Sequence, residues 1–302
     1  MVKIRLAALL ALLVLPTVPA LGSGSPKDGS AVSYPVTVQA ANGAVVIQAR
    51  PTRIVSLSPS ATEDLFAIGA GSQVVAVDDQ SNYPASVPRT DLSGYTPNAE
   101  AIAGYKPDLV VVSSDGGIVA ALNKLGITVL LEPAAKNLGG AYGEIVQLGT
   151  ATDHETPAAS VVHGMQRQLT KLIRSVPKRF RHLKVFHELS PDFYSATSST
   201  FIGQVYKLFG FRNIADAADP THAGYPKLSA EYILKANPDL VVLSDTKCCR
   251  QSAKTTAARA GWQNLSAVKH GRVIGVSDDI ASRWGPRIVA FARVVAQAAK
   301  RS

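Results

Sequence analysis

Two adjacent cysteines, Cys248 and Cys249, are all the thiol this 302-residue chain holds. Two thiols are an incomplete metal site, and neighbouring cysteines close only a tight ring. An oxidised pair would rigidify its turn, a reduced pair would offer a soft metal half a site, and a vicinal disulfide shaping the loop is the expectation. With no cysteine before position 248, a lipid anchor on a mature N-terminal cysteine is not expected. Long apolar runs are also lacking: after residues 6–15 nothing approaches the ~18 uninterrupted apolar residues of a membrane helix.

Catalytic signatures are missing as well. There is no G-x-S-x-G elbow and no P-loop, Gly69-Ala70-Gly71 lacks the third glycine of a dinucleotide fingerprint, and His187-Glu188 lacks the second histidine of H-E-x-x-H. His187 falls on an expected buried strand, where a satisfied interior imidazole is the expectation. No catalytic residue, resident cofactor or metal site is expected, so the chain reads as a non-enzyme. The alternative is an exported two-lobed enzyme using Cys248, Cys249 or His187.

Basic residues exceed acidic ones, with a formal charge of +9. Apart from residues 178–184 (KRFRHLK) they are scattered; that run could touch an anionic surface, but a solvated linker between the lobes is the expectation, and nucleic-acid binding is not indicated. Residues 1–22 carry Lys3 and Arg5, then an apolar stretch, then small residues, which is the layout of a secretory signal. Export to the periplasm or cell surface is therefore expected, with residues 23–35 as a spacer.

The chain is 46% hydrophobic overall, and beyond the spacer it repeats itself. Residues 98–114 read NAEAIAGYKPDLVVVSS and residues 229–245 read SAEYILKANPDLVVLSD, 131 positions later, without a gap and with nine identities. Upstream, residues 53–59 (RIVSLSP) are answered by residues 184–191 (KVFHELSP). Each half opens on a strand ending in Ser-Pro. Two copies are too few for a solenoid and predict two similar α/β lobes facing across a cleft.

In the first lobe, residues 36–137, a hairpin is expected around Asn42-Gly43. Strands follow at 53–57, 74–77, 108–112 and 128–131, with a helix opened by a Ser60–Glu63 capping box and stopped at Gly69, and another over 118–125. Residues 138–174 show only helical spacing, with Val161, Met165, Leu169, Leu172 and Ile173 on one stripe, and predict one long helix in a connecting region, 138–178. The second lobe, 179–302, has expected helices at 201–209, 231–236 and 286–299 and strands at 240–243 and 272–276. In the last helix Ile288, Ala292, Val295 and Ala299 read as core.

Ligands of such sheets collect beyond the strands' carboxyl ends. Those ends carry Ser58, Pro59 and Ser60, Asp78 and Asp79, residues 113–115 with Asp115, and, in the second half, residues 194–197, 244–249 and Asp278-Asp279. Singly these are turn formers; together they suggest a polar cleft. Tyr95, Phe193, Tyr194 and Trp284 add aromatic faces suited to a flat or macrocyclic ligand.

The hairpin followed by residues 51–63 (PTRIVSLSPSATE), then DDQSNYP, GYTPNAEAI and KPDLVV, resembles the substrate-binding proteins of ABC importers for vitamin B12, ferric siderophores and haem. The resemblance runs from about residue 36 to residue 299. It implies two α/β lobes joined by a single long helix, a ligand held between them with little closing motion, and a monomer that delivers its cargo to a two-fold permease. Family members dock with one glutamate per lobe, and the matching positions are Glu100 and Glu231. The cargo is then a metal chelate, cobalamin or another corrinoid ahead of a ferric siderophore or haem. Residues 193–197 (FYSAT) resemble a second-lobe loop of B12 binders, and residues 279–287, with Asp279, Arg283 and Trp284, resemble the family's cleft loop. Tyr95 matches the first-lobe aromatic of B12 binders or the iron-ligating tyrosine of haem binders. The expected ligand set is thus Ser58, Pro59, Ser60, Tyr95, Asp115, Tyr194, Asp279, Arg283 and Trp284, of which Arg283 would best meet an anionic siderophore.

Overall fold

The repeat in the sequence returns as topology. The computed structural model describes residues 33–301; the expected signal, 1–22, and most of the spacer, 23–35, lie outside the described residues. An antiparallel hairpin comes first, β1 (Val36–Ala40) against β2 (Gly43–Ile47). Gly43 turns it at φ 101°, where only glycine avoids a Cβ clash. The Asn42 side chain donates to the Val129 carbonyl and accepts from the Leu131 N–H, tying the hairpin to the first lobe.

That lobe runs β3 (Ile54–Leu57), α1 (Pro59–Ala67), β4 (Val74–Asp78), β5 (Arg89–Leu92), α2 (Ala99–Ala103), β6 (Leu109–Val112), α3 (Ile118–Lys124) and β7 (Thr128–Leu131). Helices α4 (Leu138–Thr152) and α5 (Glu155–Ser175) follow. The second lobe runs β8 (Lys184–Glu188), α6 (Phe201–Leu208), β9 (Arg212–Asn213), α7 (Ala230–Ala236), β10 (Leu240–Leu243), α8 (Thr246–Cys249), α9 (Ala253–Ala257), α10 (Ser266–Lys269), β11 (Val273–Gly275), α11 (Asp278–Ser282) and α12 (Ile288–Ala299). Both main sheets are parallel, in the orders β5-β4-β3-β6-β7 and β9-β8-β10-β11. Strands β3, β6 and β7 thus occupy the places that β8, β10 and β11 occupy in the other lobe. The extra edge strand β5, Arg-Thr-Asp-Leu, carries no apolar alternation and pairs with β4 in a shifted register. Both signals that would mark it in the sequence are therefore missing.

The repeated residues have matching structural tasks. Asn98 and Ser229 cap α2 and α7 through the N–H groups of Ala101 and Tyr232. Ile102 and Ile233 are fully buried. Asp108 accepts from the backbone N–H of Thr52 and Arg53, and Asp239 accepts from that of Lys184, so each Pro-Asp pins the start of its central strand. The following Leu-Val-Val run is buried on both faces in each lobe, as a covered parallel sheet requires.

Two sequence expectations need correction. The α1 cap is Ser58, which accepts from the Ala61 N–H, with Pro59 in the first turn; Ser60 lies inside the helix. Residues 138–174 are not one helix. The chain breaks at Asp153, whose φ of 64° is left-handed, and the N–H groups of Asp153 and His154 turn back onto the Gly149 carbonyl. Pro157, tolerated in a first turn, is the overlooked mark of the new start. Helix α4 packs on α1 and β1, while α5 packs on α4 and on α12 of the second lobe. The connector is therefore α5 alone, 21 residues and about 31 Å long. Val162, Met165 and Leu169 on its buried stripe belong to one continuous core with Ile288, Ala292, Val295 and Ala299 of α12.

Because Asp239 joins β8 to β10 and also accepts from the Ser266 hydroxyl at 2.7 Å, Asp239→Ala should lower unfolding free energy by about 2 kcal/mol, the range of hydrogen bonds to a charged group. Urea denaturation reads this directly. A change indistinguishable from that of the exposed Lys269→Ala would refute the pinning role.

Candidate functional site

The carboxyl ends of the two sheets are stitched together by charge. Glu63, on α1 and 3% exposed, accepts from Arg283 Nη1 at 2.7 Å and from Arg287 Nε and Nη2 at 2.7 and 2.5 Å. Arg283 also donates to Asn82 Oδ1, to the Gln80 carbonyl and to Asp279 Oδ1 at 2.9, 2.9 and 3.1 Å. Asp279 in turn accepts from Lys247 Nζ at 2.6 Å and from the Asn82 amide, and despite burial the Lys247 and Arg283 charges and the Asn82 hydrogen bond hold its carboxyl below the usual range. Both terminal nitrogens of Arg283 are thus occupied by two partners each, and the residue is 7% exposed. Its bonds run from the last segment of the second lobe to Glu63, Gln80 and Asn82 of the first. Arg287 stacks its guanidinium 4.3 Å from the Tyr83 ring centroid.

Trp284, next to this hub, is held across the lobes twice. Its backbone N–H donates to Ser60 Oγ at 3.3 Å and its indole N–H to Glu144 Oε2 at 2.6 Å. Gly285 follows because a Cβ there would fall 2.9 Å from Asp64 Oδ1. Asp64, Glu132 and Glu144 gather behind the indole. Burial, with neighbouring carboxylates adding to it, raises Asp64 well above the carboxylate range and Glu132 to about 8. Burial lifts Glu144 to about 7 against the opposing pull of the Trp284 hydrogen bond. Among the described residues no cluster of His, Cys, Asp and Glu is arranged to hold a metal ion.

A cavity of about 560 Å³ opens beside Trp284 and draws on both lobes. Ala135 and Lys136, beyond β7, form one wall; Leu189, beyond β8, Phe201 and Ile202 at the start of α6, and the loop carrying His222 and Tyr225 form the other. The loop is rigidly built: Asp219, 5% exposed, accepts from the N–H groups of Ala223 and Gly224 at 3.0 and 2.7 Å. His222 sits at φ 54°, a left-handed conformation unusual for a side-chain-bearing residue. The mix of apolar walls with a few imidazole, ammonium, phenol and hydroxyl groups is that of a small-molecule site.

Of the expected ligand residues, only Trp284 lines this cavity. Tyr95 is 93% exposed and, with Asp115, borders a separate depression of about 480 Å³ on the first lobe. Asp115 also accepts from the Gly117 and Val119 N–H groups at the start of α3. Ser58 caps α1, Pro59 begins it, and Ser60 holds Trp284. Tyr194 is half exposed, with the Lys227 ammonium over its ring. His222 and Tyr225 escaped the sequence reading because residues 210–228 show no periodicity, the Asp-Pro and Ala-Gly-Tyr-Pro turn chemistry being the available signal, while Phe201 was read only as the start of a helix.

The other singled-out groups lie within the second lobe. His187 is fully buried, paired through Nδ1 with Tyr206 and through Nε2 with Ser244, and burial lowers its pKa to about 3, so it is a neutral interior imidazole. Cys248 and Cys249 are bridged at the end of α8. Glu188 forms a bidentate pair with Arg259, and burial together with that carboxylate raises neighbouring Asp245 to about 7.

A family model described as periplasmic binding protein matches residues 54–280. Over 301 residues the chain is 34% identical to the uncharacterized ABC transporter substrate-binding lipoprotein YvrC of Bacillus subtilis, covering 94% of this chain and 93% of that one. It is 32% identical over 269 residues to a cobalamin-binding protein of Halobacterium salinarum, covering 86% and 72% of the two chains. The solved periplasmic vitamin B12 binding protein BtuF of Vibrio cholerae matches with a TM-score of 0.67 at 25% identity, over 83% of this chain and 97% of that one.

The raised carboxyls carry a testable sign. Glu132 and Glu144 move from 4.5 to about 8 and about 7 on folding, so across that interval the folded protein holds protons the unfolded chain has released. Stability therefore falls as pH rises from about 4.5 to 8 and levels off above. In Glu132→Gln the fall in Tm between about pH 4.5 and 8 should be shallower by several °C, since a shift of this size corresponds to at most ~5 kcal/mol of linked stability. Parallel Tm–pH curves for the two proteins would refute the assignment.

Proposed function

The chain belongs to the periplasmic binding protein family, as an exported substrate-binding protein of an ABC importer, and we propose that its cargo is cobalamin or another corrinoid, held beside Trp284. The observation that carries this reading is the chemistry of the interlobe cavity. It offers Trp284, Tyr225 and Phe201 for a large ring, and Thr200, Ser282, His222 and Lys136 for peripheral polar groups. The arginine best suited to an anionic siderophore, Arg283, is already occupied by Glu63, Asp279, Asn82 and Gln80. The cobalamin-binding relative supports the same choice. In this reading the protein binds without turnover and acts as a monomer.

Delivery is assigned to Glu100 and Glu231. Both are exposed in the first turns of equivalent helices, α2 and α7, whose N-termini lie on the cleft side of their sheets. Among the described residues neither makes an ion pair or side-chain hydrogen bond. A carboxylate favours a helix N-terminus in any protein, but repetition at matched places suits a two-fold partner carrying cations.

Calorimetric titration with cyanocobalamin should give 1:1 binding, and Trp284→Ala should weaken it by about tenfold or more, as loss of an aromatic anchor does. Absence of binding, with haemin or a ferric siderophore bound instead, would replace the cargo and leave the importer role. Glu100→Arg combined with Glu231→Arg should abolish uptake in cells while leaving cargo affinity unchanged. Undiminished uptake would sink the docking assignment.

A further inference from the structure

The second lobe separates its charges along the strand axis. Residues 176–301 hold nine carboxylates, and eight of them follow a strand or begin a helix at the cleft side. The ninth, Asp239, is at the opposite end but is occupied by the Lys184 N–H and the Ser266 hydroxyl. That opposite end, where β8, β9 and β11 begin, gathers cations from four stretches of chain. Lys178 and Arg179 lie in the turn before β8, Arg212 opens β9, Lys269 ends α10, and Lys300 and Arg301 follow α12, all exposed.

Contacts show that these stretches meet. Arg179 and Arg272 each place a guanidinium over the Phe180 ring, at 4.7 and 5.5 Å. Arg272 Nε donates to the Arg301 carbonyl at 2.8 Å, Arg301 Nη1 to the Gly271 carbonyl at 3.1 Å, and the Arg212 N–H to the Leu183 carbonyl at 2.9 Å. Helix dipoles account for Lys269, and for Lys235 in the last turn of α7. They do not account for Arg179, Arg212 or Arg301, which lie outside any α-helix. The run at 178–184, read in sequence as a linker, is therefore one edge of a larger one-signed face.

We infer that this face of the second lobe binds a linear polyanion of the cell envelope, a chain of repeated phosphate groups, while the cleft remains free for cargo. Guanidinium forks spread over a surface suit successive phosphates, and a one-signed field draws a flexible polyanion from a distance. The choice of a polymer over an anionic membrane rests on the docking reading above. Glu231 occupies the first turn of α7 and Lys235 its last, so a chain docked through Glu231 turns the basic face away from the membrane. Tethering there would keep the receptor near its permease without competing for the docking surface.

The test is a fluorescence titration of the protein with long-chain inorganic polyphosphate, beside the variant Lys178→Glu, Arg179→Glu, Arg212→Glu, Lys269→Glu. A control carries four reversals elsewhere: Arg89→Glu, Lys106→Glu, Lys124→Glu and Lys254→Glu. Binding should fall on the order of 100-fold between about 50 and 200 mM salt, as release of counterions from about four phosphates requires. It should be lost in the face variant and kept in the control, with both retaining the parent Tm. Equal weakening in both variants would reduce the effect to net charge and overturn the inference, as would no binding by the parent. Attachment to phosphatidylglycerol vesicles but not to polyphosphate would overturn the polymer in favour of a membrane. None of these outcomes depends on which cargo the cleft takes.

Discussion

Everything at the cleft hangs on one buried carboxylate. Glu63 holds two guanidiniums from the far end of the chain against the first helix of the first lobe, all three groups being largely withdrawn from water. Removing one member of such a set leaves a buried charge uncompensated, at about 3–5 kcal/mol. Opening the lobes wide would do the same. The connector α5 bonded to both lobes by its apolar stripe and the Glu63 hub across the cleft therefore act in one direction: they permit small relative motions and oppose large ones. A site held this way would be largely formed before cargo arrives, which would suit the rigid macrocycle proposed above better than a flexible chain.

The hub also settles what its neighbours can do. With Arg283 saturated by protein oxygens, the segment that follows it is fixed in position, and Trp284 is presented to the cavity with both its N–H groups already bonded. The carboxyls behind the indole have no such cations. Burial raises Asp64, Glu132 and Glu144 above the ordinary carboxylate range, so each keeps its proton to higher pH than an exposed carboxyl would, and Glu144, at about 7, is the member that accepts from the indole. A strongly paired charge cluster and a neutral one thus lie side by side on the first lobe: one clamps the lobes and the other positions the aromatic wall. The division follows from where the arginines are, since a carboxyl without a cation in a dry site is cheaper to protonate than to ionise.

Legibility in the sequence followed physical redundancy. Strands β3, β6, β8 and β10 were readable because both their faces are buried, so every residue reports the environment. The hairpin was readable because Asn42-Gly43 has few other uses. The break between α4 and α5 was hidden because the apolar stripe continues past it, while the local marks, Asp153 in a left-handed turn and Pro157 in a first turn, are single residues. β5 had neither alternation nor an apolar run. At the site, Trp284 was legible as an aromatic beyond a strand end, but the tasks of Ser60, Arg283 and Asp279 were not. Their partners lie up to 224 positions away in sequence, and no local pattern states which cation a carboxylate will find. His222 and Tyr225 were invisible for the complementary reason: an irregular loop held by Asp219 has no period to read.

The two halves differ most where they should if a two-fold partner and an asymmetric cargo are read by different parts of the chain. What the repeat preserves is the cap, the exposed glutamate, the buried isoleucine and the Pro-Asp pin, a unit that sets one carboxylate at one place on each lobe. What it does not preserve is everything reaching into the cavity: the first lobe contributes a short segment at Ala135 and Lys136, the second a long loop with His222 and Tyr225 and the segment ending at Trp284. Under the docking proposed for Glu100 and Glu231, matched positions on the two lobes would meet the same surface of a two-fold partner. The cavity walls differ in kind, a short segment from one lobe against a long loop and the Trp284 segment from the other, and such unlike walls would suit the proposed corrinoid, whose two faces differ.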